Sequence, residues 1–301
     1  MAQQVLPESF RLFTLADWLL WRGGERDPAI HASLAAGTGL YDIHRHAWSP
    51  ELAAVAGLTG NGAQLPRVVP AGQPLGRIRL AGRELPVFGG IGDLQAALHG
   101  ADFPGRARMA VNLGTGSQVL RAGEGLPVAV ERRPGVGGAD FAAITHIPAG
   151  RALNVFAGFM DECAELGGGR PFFWQLFARL EASQVLAAQL SVDMQLFDAA
   201  WRYVDGGAIR NIHEGRFAPP LLVAAIAKAW LSQYALAMAE LDPAGEEQSF
   251  ILLGGLSRRA DWVATVLATL SGRKVLPTEP ATGEETLDGL LRLARQYAHG
   301  H

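Results

Sequence analysis

The chain of 301 residues has one cysteine, Cys163, and little net charge. A single cysteine excludes an internal disulfide framework and a multi-cysteine metal site, and it favours a reducing compartment. A net charge of -3 gives no general positive field for nucleic acid or for an anionic membrane. No uninterrupted apolar run approaches the length of a membrane span. We therefore predict a soluble cytoplasmic protein without a signal peptide.

Apolar residues and glycine are abundant. Hydrophobic residues make up 49% of the sequence, which is enough for a sizeable core and excludes a disordered chain. Several of the 37 glycines fall where a strand pattern gives way to a turn. The sequence has no long linker and no repeat, so we predict two lobes in close contact.

Local patterns predict the main elements. Residues 13–20 predict a short, largely buried helix, and Ser49 before Pro50 predicts the start of a second helix. Residues 108–120 predict a β-hairpin with a Gly-Thr-Gly tip. Further along, residues 171–186 and 220–241 predict helices, and residues 249–253 predict a buried strand stopped by two glycines.

Three glycine-rich turns are candidates for chemistry: residues 90–93, 112–117 and 254–255. Without Cβ atoms, backbone N–H groups can converge on a phosphate oxygen, and a base or ribose can approach the backbone. Each turn also has a plain structural interpretation, as a hairpin tip or as a glycine that allows close packing.

Asp93 follows the first of these turns, at the start of a predicted helix. A hydroxyl that attacks phosphorus needs a carboxylate to accept its proton, so Asp93 is a candidate general base. The alternative role is the N-cap of the helix. A carboxylate turn, then a phosphate-type hairpin, then a strand ending in two glycines is the order expected of a two-lobed nucleotide-dependent phosphotransferase.

Other candidates have simpler interpretations. His44 and His46 lack a third nearby ligand for a metal and are interpreted as solvated residues. Cys163 lacks an activating cation in sequence, so we expect a small buried hydrophobic residue. The aromatic residues at 172, 173, 174 and 177 are expected in an interlobe or dimer core.

In order and spacing, the motifs resemble those of the FGGY carbohydrate kinases, members of the actin, hexokinase and Hsp70 superfamily. The motifs are Asp17-Trp18-Leu19-Leu20, residues 37–42 with Trp48 and Glu51-Leu52 after them, residues 90–93, residues 112–117, and Leu253-Gly254-Gly255. Within the family, residues 92–97 look most similar to the sedoheptulose kinases. The resemblance implies an α/β, ribonuclease H-like (actin-like ATPase) two-lobed fold.

The resemblance also implies a domain division. Residues 1–103 would be the C-terminal part of the sugar-binding N-terminal lobe, and residues 104–301 the nucleotide-binding C-terminal lobe. The first lobe would be truncated, because the family's Asp-x-Gly-Thr-Thr-Ser hairpin does not precede Phe10. Near the other end, Leu287 and Asp288 beside Gly289 argue against the close helix crossing usual in the family.

The resemblance implies roles for Asp93, for Gln95 and for two of the glycine-rich turns. Asp93 would be the catalytic base, and Gln95 together with Asp93 would face the sugar. Gly114, Thr115, Gly116 and Ser117 would bind the phosphates of ATP, and Gly254 and Gly255 would border the adenosine. ATP and Mg²⁺ are the implied cofactors, and no residue is assigned as a metal ligand.

We therefore predict ATP-dependent phosphorylation of a ketose such as sedoheptulose or xylulose, or of a polyol, at a primary hydroxyl. The missing phosphate loop motivates an alternative, a catalytically incomplete kinase-derived binding protein or one subunit of a split sugar kinase. A homodimer, or a partner carrying the missing N-terminal half, would cover the exposed sheet edge. A nucleotide hydrolase of the same superfamily is the third interpretation.

Overall fold

The computed structural model describes residues 10–58, 63–114, 117–127, 130–278 and 280–298. The chain forms two compact units: unit 1 is Met1–Gly100, Arg132–Phe141 and Pro280–His301, and unit 2 is Ala101–Glu131 and Ala142–Glu279. Their division near residue 100 lies close to the predicted boundary, whereas residues 132–141 and 280–301 group with unit 1. The assignment of residues 1–103 and 104–301 to the family's lobes stays a prediction.

The elements of the described residues are numbered along the chain. The helices are α1 (Leu15–Arg22), α2 (Ala32–Ala36), α3 (Pro50–Val55), α4 (Asp93–Gly100), α5 (Gly150–Leu166), α6 (Phe173–Arg179), α7 (Ala182–Leu186), α8 (Pro219–Leu241), α9 (Trp262–Ser271) and α10 (Glu285–Ala298). The strands are β1 (Phe10–Arg11), β2 (Ala29–His31), β3 (Tyr41–Asp42), β4 (Ala47–Trp48), β5 (Ala63–Gln64), β6 (Arg67–Val69), β7 (Pro74–Leu80), β8 (Arg83–Phe88), β9 (Met109–Asn112), β10 (Ser117–Ala122), β11 (Glu131–Pro134), β12 (Asp140–Ile147), β13 (Ser191–Asp193), β14 (Ala208–Arg210), β15 (Ser249–Leu253) and β16 (Lys274–Pro277).

A six-stranded sheet has the order β11-β12-β10-β9-β15-β16. β9 and β10 pair antiparallel, which confirms the predicted hairpin, and β15 pairs in parallel with β9 on one side and β16 on the other. Because parallel strands present their carboxyl ends at the same edge, the turns after β9 and β15 meet there.

Helix α8 is the centre of the core of unit 2. Trp230 and Tyr234, one turn apart on it, are fully buried. By length and composition alone α8 could cross a membrane, but 67% of its most apolar stretch is buried inside the structure. The core helix of a folded domain has the same composition, because it is apolar all round. The predicted helix over residues 220–241 is confirmed.

The predicted helix over residues 171–186 is two helices, α6 and α7. Leu180, between them, has φ of -60° and ψ of 148°, which is an extended conformation. The side chain of Gln184 accepts the backbone N–H of Glu181 at 2.9 Å in a capping box that starts α7. The apolar spacing continues across this break, so the spacing alone did not predict it.

Two expectations about side chains in unit 2 are wrong. Phe173 and Phe177 are fully buried in the core of unit 2 itself, and the indole N–H of Trp262 donates to the carbonyl of Phe177 at 3.0 Å. They therefore do not form an interlobe or dimer core. Cys163 is exposed rather than buried, because it lies on the outward side of α5 one turn after Phe159, which is 64% exposed.

Unit 1 contains short paired strands and small helices. Its predicted second helix is confirmed as α3, where the Ser49 hydroxyl oxygen accepts the N–H of Leu52 at 3.2 Å. The expectation that residues 13–20 form a largely buried helix is wrong. α1 leaves Leu15 and Leu19 72% and 55% exposed, because it turns Asp17 inward, where the Thr14 hydroxyl donates to the carboxylate.

The last helix, α10, crosses α4 at very short range. A Cβ on Gly289 would overlap the carbonyl oxygen of Ala96, and a Cβ on Gly100 would lie 2.5 Å from the carbonyl oxygen of Glu285. The expectation against a close crossing is therefore wrong. The additional small residues are Ala96 and Gly100 on α4, so Leu287 and Asp288 beside Gly289 do not prevent the approach.

Candidate functional site

Asp93 is the first residue of α4, and its side chain is exposed. One carboxylate oxygen accepts the N–H of Leu94 at 2.7 Å, and the first helical hydrogen bond runs from Ala96 N–H to the carbonyl of Gly92 at 3.0 Å. A solvent-exposed carboxylate with its backbone fixed by a helix is suited to accept a proton.

The turn before Asp93 is fixed by a chain of part-buried hydrogen bonds. The N–H of Gly92 donates to the Ser33 hydroxyl oxygen at 2.9 Å, and that oxygen lies 2.9 Å from Nδ1 of His31. The N–H of Ser33 also donates to Nδ1 at 3.2 Å, so Nδ1 is an acceptor and the Ser33 hydroxyl donates to it. Burial lowers the pKa of His31, which keeps the ring neutral.

Sequence reasoning missed His31 and Ser33. Their only local signal is a histidine before a short helix with serine two positions later, which predicts a helix cap. His31 does cap α2, but Ser33 also reaches a residue that lies 59 positions along the chain.

Gln95 lies on the inner side of α4 and is 4% exposed. Its amide nitrogen donates to the carbonyl of Pro134 at 3.1 Å, and a Cβ on Gly92 would meet its amide oxygen. Both partners belong to unit 1. The predicted contact of Gln95 with a sugar stays a prediction.

The second and third glycine-rich turns come together in unit 2. Asn112 is the register partner of Leu253, the N–H of Leu113 donates to the carbonyl of Leu253 at 2.9 Å, and the N–H of Leu256 donates to the carbonyl of Leu113 at 3.1 Å. Gly254 has φ of +90°, and a Cβ there would lie 2.5 Å from the carbonyl oxygen of Leu113. Glycine at this position is required by both the conformation and the contact.

The predicted phosphate-binding residues have different surroundings. Ser117 is buried, and its hydroxyl donates to the carbonyl of Gly114 at 3.1 Å. Thr115 and Gly116 lie outside the described residues. Gly255 has open space around it among the described residues, since a Cβ there would meet none of their atoms within 4 Å. A ligand can therefore approach the backbone at Gly255.

The described side chains form no metal site of their own. Within residues 10–58, 63–114, 117–127, 130–278 and 280–298, no three His, Cys, Asp or Glu side chains are grouped so as to bind one. Mg²⁺ prefers carboxylates together with substrate phosphates. This part of the chain does not fit a metal held by protein ligands alone.

Comparison with known proteins gives a family match for the first part of the chain. Residues 4–100 match the model of the FGGY family of carbohydrate kinases, N-terminal domain. The resemblance to the FGGY carbohydrate kinases is confirmed. Glycerol kinases from Trichlorobacter lovleyi and Gloeobacter violaceus are 38% and 35% identical over 125 and 109 residues, which are 40% and 35% of this chain. Those stretches are 24% and 21% of the two relatives.

Solved structures of xylulose and glycerol kinases match almost the whole chain. A glycerol kinase from Plasmodium falciparum with ADP aligns with a TM-score of 0.75 and 14% identity, over 96% of this chain and 58% of that one. A ligand-bound xylulose kinase from Lactobacillus acidophilus aligns with a TM-score of 0.71 and 15% identity, over 95% and 59%. The predicted actin-like ATPase fold is confirmed, and the chain spans less than two thirds of these relatives.

Proposed function

We propose that this chain takes part in ATP-dependent phosphorylation of a sugar or polyol at a primary hydroxyl, with Asp93 as the general base. The observation that supports this best is the exposed carboxylate of Asp93 at the start of α4. It lies within residues 4–100, the segment that matches the FGGY N-terminal domain. The FGGY relatives are named as kinases of glycerol and xylulose.

In the proposed reaction, the hydroxyl oxygen of the substrate bonds to the γ-phosphorus while Asp93 accepts the hydroxyl proton. The bond from the γ-phosphorus to its bridging oxygen breaks, and ADP leaves with that electron pair. A positioned general base contributes about 10²–10⁴ in rate. The hydrogen bonds from Gly92 through Ser33 to His31 fix the backbone from which Asp93 projects.

On the nucleotide side, we propose that Gly114, Thr115, Gly116 and Ser117 bind phosphate and that Gly254 and Gly255 border the adenosine. The meeting of the two turns and the open space at Gly255 support this assignment. The described residues contain no group of three metal-binding side chains, so in this proposal Mg²⁺ would arrive bound to ATP. The proposed location is the cytoplasm, where ATP is available.

The experiment is a coupled kinase assay of the full chain with ATP and Mg²⁺ against glycerol, xylulose and sedoheptulose. We expect Asp93→Asn to lower turnover of the best substrate by about 10²–10⁴. The matched control is Asp27→Asn, which removes an exposed carboxylate of unit 1 that pairs with Arg67 at 3.2 Å. Equal turnover in Asp93→Asn and Asp27→Asn would overturn the role of Asp93.

A second candidate is a binding protein, or one subunit of a split kinase, that needs another polypeptide. The exposed apolar side chains of α1 favour it: Leu15, Trp18 and Leu19 are each more than 40% exposed. Calorimetry with ATP and with sugar, and activity with and without the product of a neighbouring reading frame, distinguish the candidates. Nucleotide binding without turnover, rescued by that product, supports the split enzyme, whereas no nucleotide binding contradicts both kinase versions.

A further inference from the structure

Unit 2 contains a cavity of about 560 Å³, and none of the predicted site residues that the structure describes lines it. It is lined by α7 with the segment after it, by residues from 211 to 216, and by the first two turns of α8. This volume lies in the range of small-molecule binding sites, which is roughly 300–1,000 Å³.

The lining divides into an apolar floor and a polar rim. The floor consists of aliphatic side chains, among them Leu190 and Ala224, which are both buried. Gln184, Asn211 and His213 contribute to the rim. A ligand that fills the cavity must therefore bury a hydrocarbon body and present a polar group at one side.

The electrostatics of the cavity favour a negative polar group. The described residues that line it include Arg216 and no carboxylate. The Arg216 guanidinium donates to the side-chain oxygen of Gln189 at 2.6 Å, which orients it along the rim. An arginine fork held in this way is suited to bind a carboxylate through two parallel hydrogen bonds.

Two further groups add positive potential. Lys228 lies one turn after Ala224 on α8, and its Nζ donates to the carbonyls of Leu186 and Ala188 at 2.8 and 3.0 Å. Because both carbonyl oxygens are hydrogen-bonded to a cation, they do not repel an anion as free carbonyl oxygens would. The first turn of α8 contains no acidic residue, and its N-cap residue, Ala218, makes no side-chain cap. No side chain in the first turn of α8 therefore neutralises the positive end of the helix dipole.

We propose that this cavity binds an amphipathic carboxylate, with the carboxylate at Arg216 and the hydrocarbon body on the floor formed by Leu190 and Ala224. An inorganic anion would leave the apolar floor in water, and the head group of an alkyl cation would be repelled by Arg216. The charge-assisted hydrogen bond and the burial of hydrocarbon each favour the same ligand class.

The probe is decanoate, titrated below its micelle concentration into the full chain by isothermal calorimetry. Decanol and decylamine are matched probes with the same hydrocarbon body and neutral or positive head groups. We expect saturable binding of one decanoate, binding of decanol about tenfold weaker or more, and no binding of decylamine. Decylamine binding as tightly as decanoate would overturn the proposed charge selection.

Two variants test the location of the site. Arg216→Gln is expected to weaken decanoate binding about tenfold or more, because it removes the charged partner. Arg210→Gln is the matched control, since Arg210 is an exposed residue of β14 that does not line the cavity. Ala224→Leu fills the floor and is expected to abolish binding of both decanoate and decanol.

Arg216 is at the surface, so Arg216→Gln is expected to leave the fold intact. The location of the site can therefore be tested even if Ala224→Leu does not fold. Absence of decanoate binding to the wild-type chain, or equal binding by Arg216→Gln and Arg210→Gln, would refute the proposal. Neither result depends on kinase activity.

Discussion

Gly289→Ala tests the close crossing of α10 over α4. In an exposed helix interior, alanine is about 1 kcal/mol more favourable than glycine. At Gly289, however, the new Cβ would overlap the carbonyl oxygen of Ala96 and lie 3.0 Å from the N–H nitrogen of Gly100. Both are backbone atoms, so a rotamer change cannot relieve the overlap, and α10 must move away from α4.

The magnitude follows from the two opposing effects. Overpacking costs about 1–3 kcal/mol, and a clash with helix backbone is expected at the upper end of that range. Subtracting the gain in helix propensity of about 1 kcal/mol leaves a net destabilisation of roughly 2 kcal/mol. Gly158→Ala is the matched control, because Gly158 is also inside a helix, α5, but a Cβ there meets no atom of the described residues within 4 Å.

Gly158→Ala is therefore expected to stabilise, by up to about 1 kcal/mol. Thermal unfolding followed by circular dichroism should show the melting temperature of Gly289→Ala lowered by roughly 4–8 °C and that of Gly158→Ala raised by up to about 4 °C. Because the chain has two units, hydrogen exchange of α4 amides locates the effect, and only Gly289→Ala should accelerate it. If Gly289→Ala stabilised the chain as Gly158→Ala does, the close crossing would be refuted.

Three further predictions concern backbone space and pH. By thermal unfolding, Gly254→Ala should destabilise by about 1–3 kcal/mol and Gly255→Ala by almost nothing, because only Gly254 has positive φ and a backbone oxygen in the way of a Cβ; equal effects would contradict this. Burial acts to raise the pKa of Asp242, but hydrogen bonds from Arg273 and from backbone N–H groups outweigh burial and lower the pKa. The stability that these hydrogen bonds give is present above about pH 4 and is lost as pH falls through the lowered pKa. The urea midpoint of Asp242→Asn should therefore depend less on pH in that range than the urea midpoint of the wild-type chain. Burial lowers the pKa of His31, so stability should decline below about pH 6.5, and urea midpoints of His31→Asn measured against pH should lack this decline.

Elements set by local interactions were predictable from the sequence. The α3 helix has its cap, its proline and its terminal glycine within nine residues, and the β9–β10 hairpin has its turn between two apolar runs. Elements that depend on distant packing were not predictable. The break between α6 and α7 needs an extended Leu180, and the apolar spacing on both sides of it is the same.

The residues of the candidate site also divide into those that local sequence patterns predicted and those that they did not. The sequence identified Asp93 and the three glycine-rich turns, because strand-to-turn patterns and residue types are local. It did not identify the chain of hydrogen bonds from Gly92 to Ser33 and His31, since these residues meet only in the folded unit. It also could not identify Ala96 and Gly100 as the small residues that admit Gly289, because they lie on another helix.

Gly254 and Gly255 show what the structure adds to the sequence motif. Gly254 is explained within unit 2, because its φ of +90° and the carbonyl oxygen of Leu113 both exclude a side chain. Gly255 is not explained in this way, since among the described residues nothing lies within 4 Å of its Cβ position and its φ is outside the range that requires glycine. Close approach of a ligand gives a reason for glycine at that position, and so the nucleotide proposal depends more on Gly255 than on Gly254.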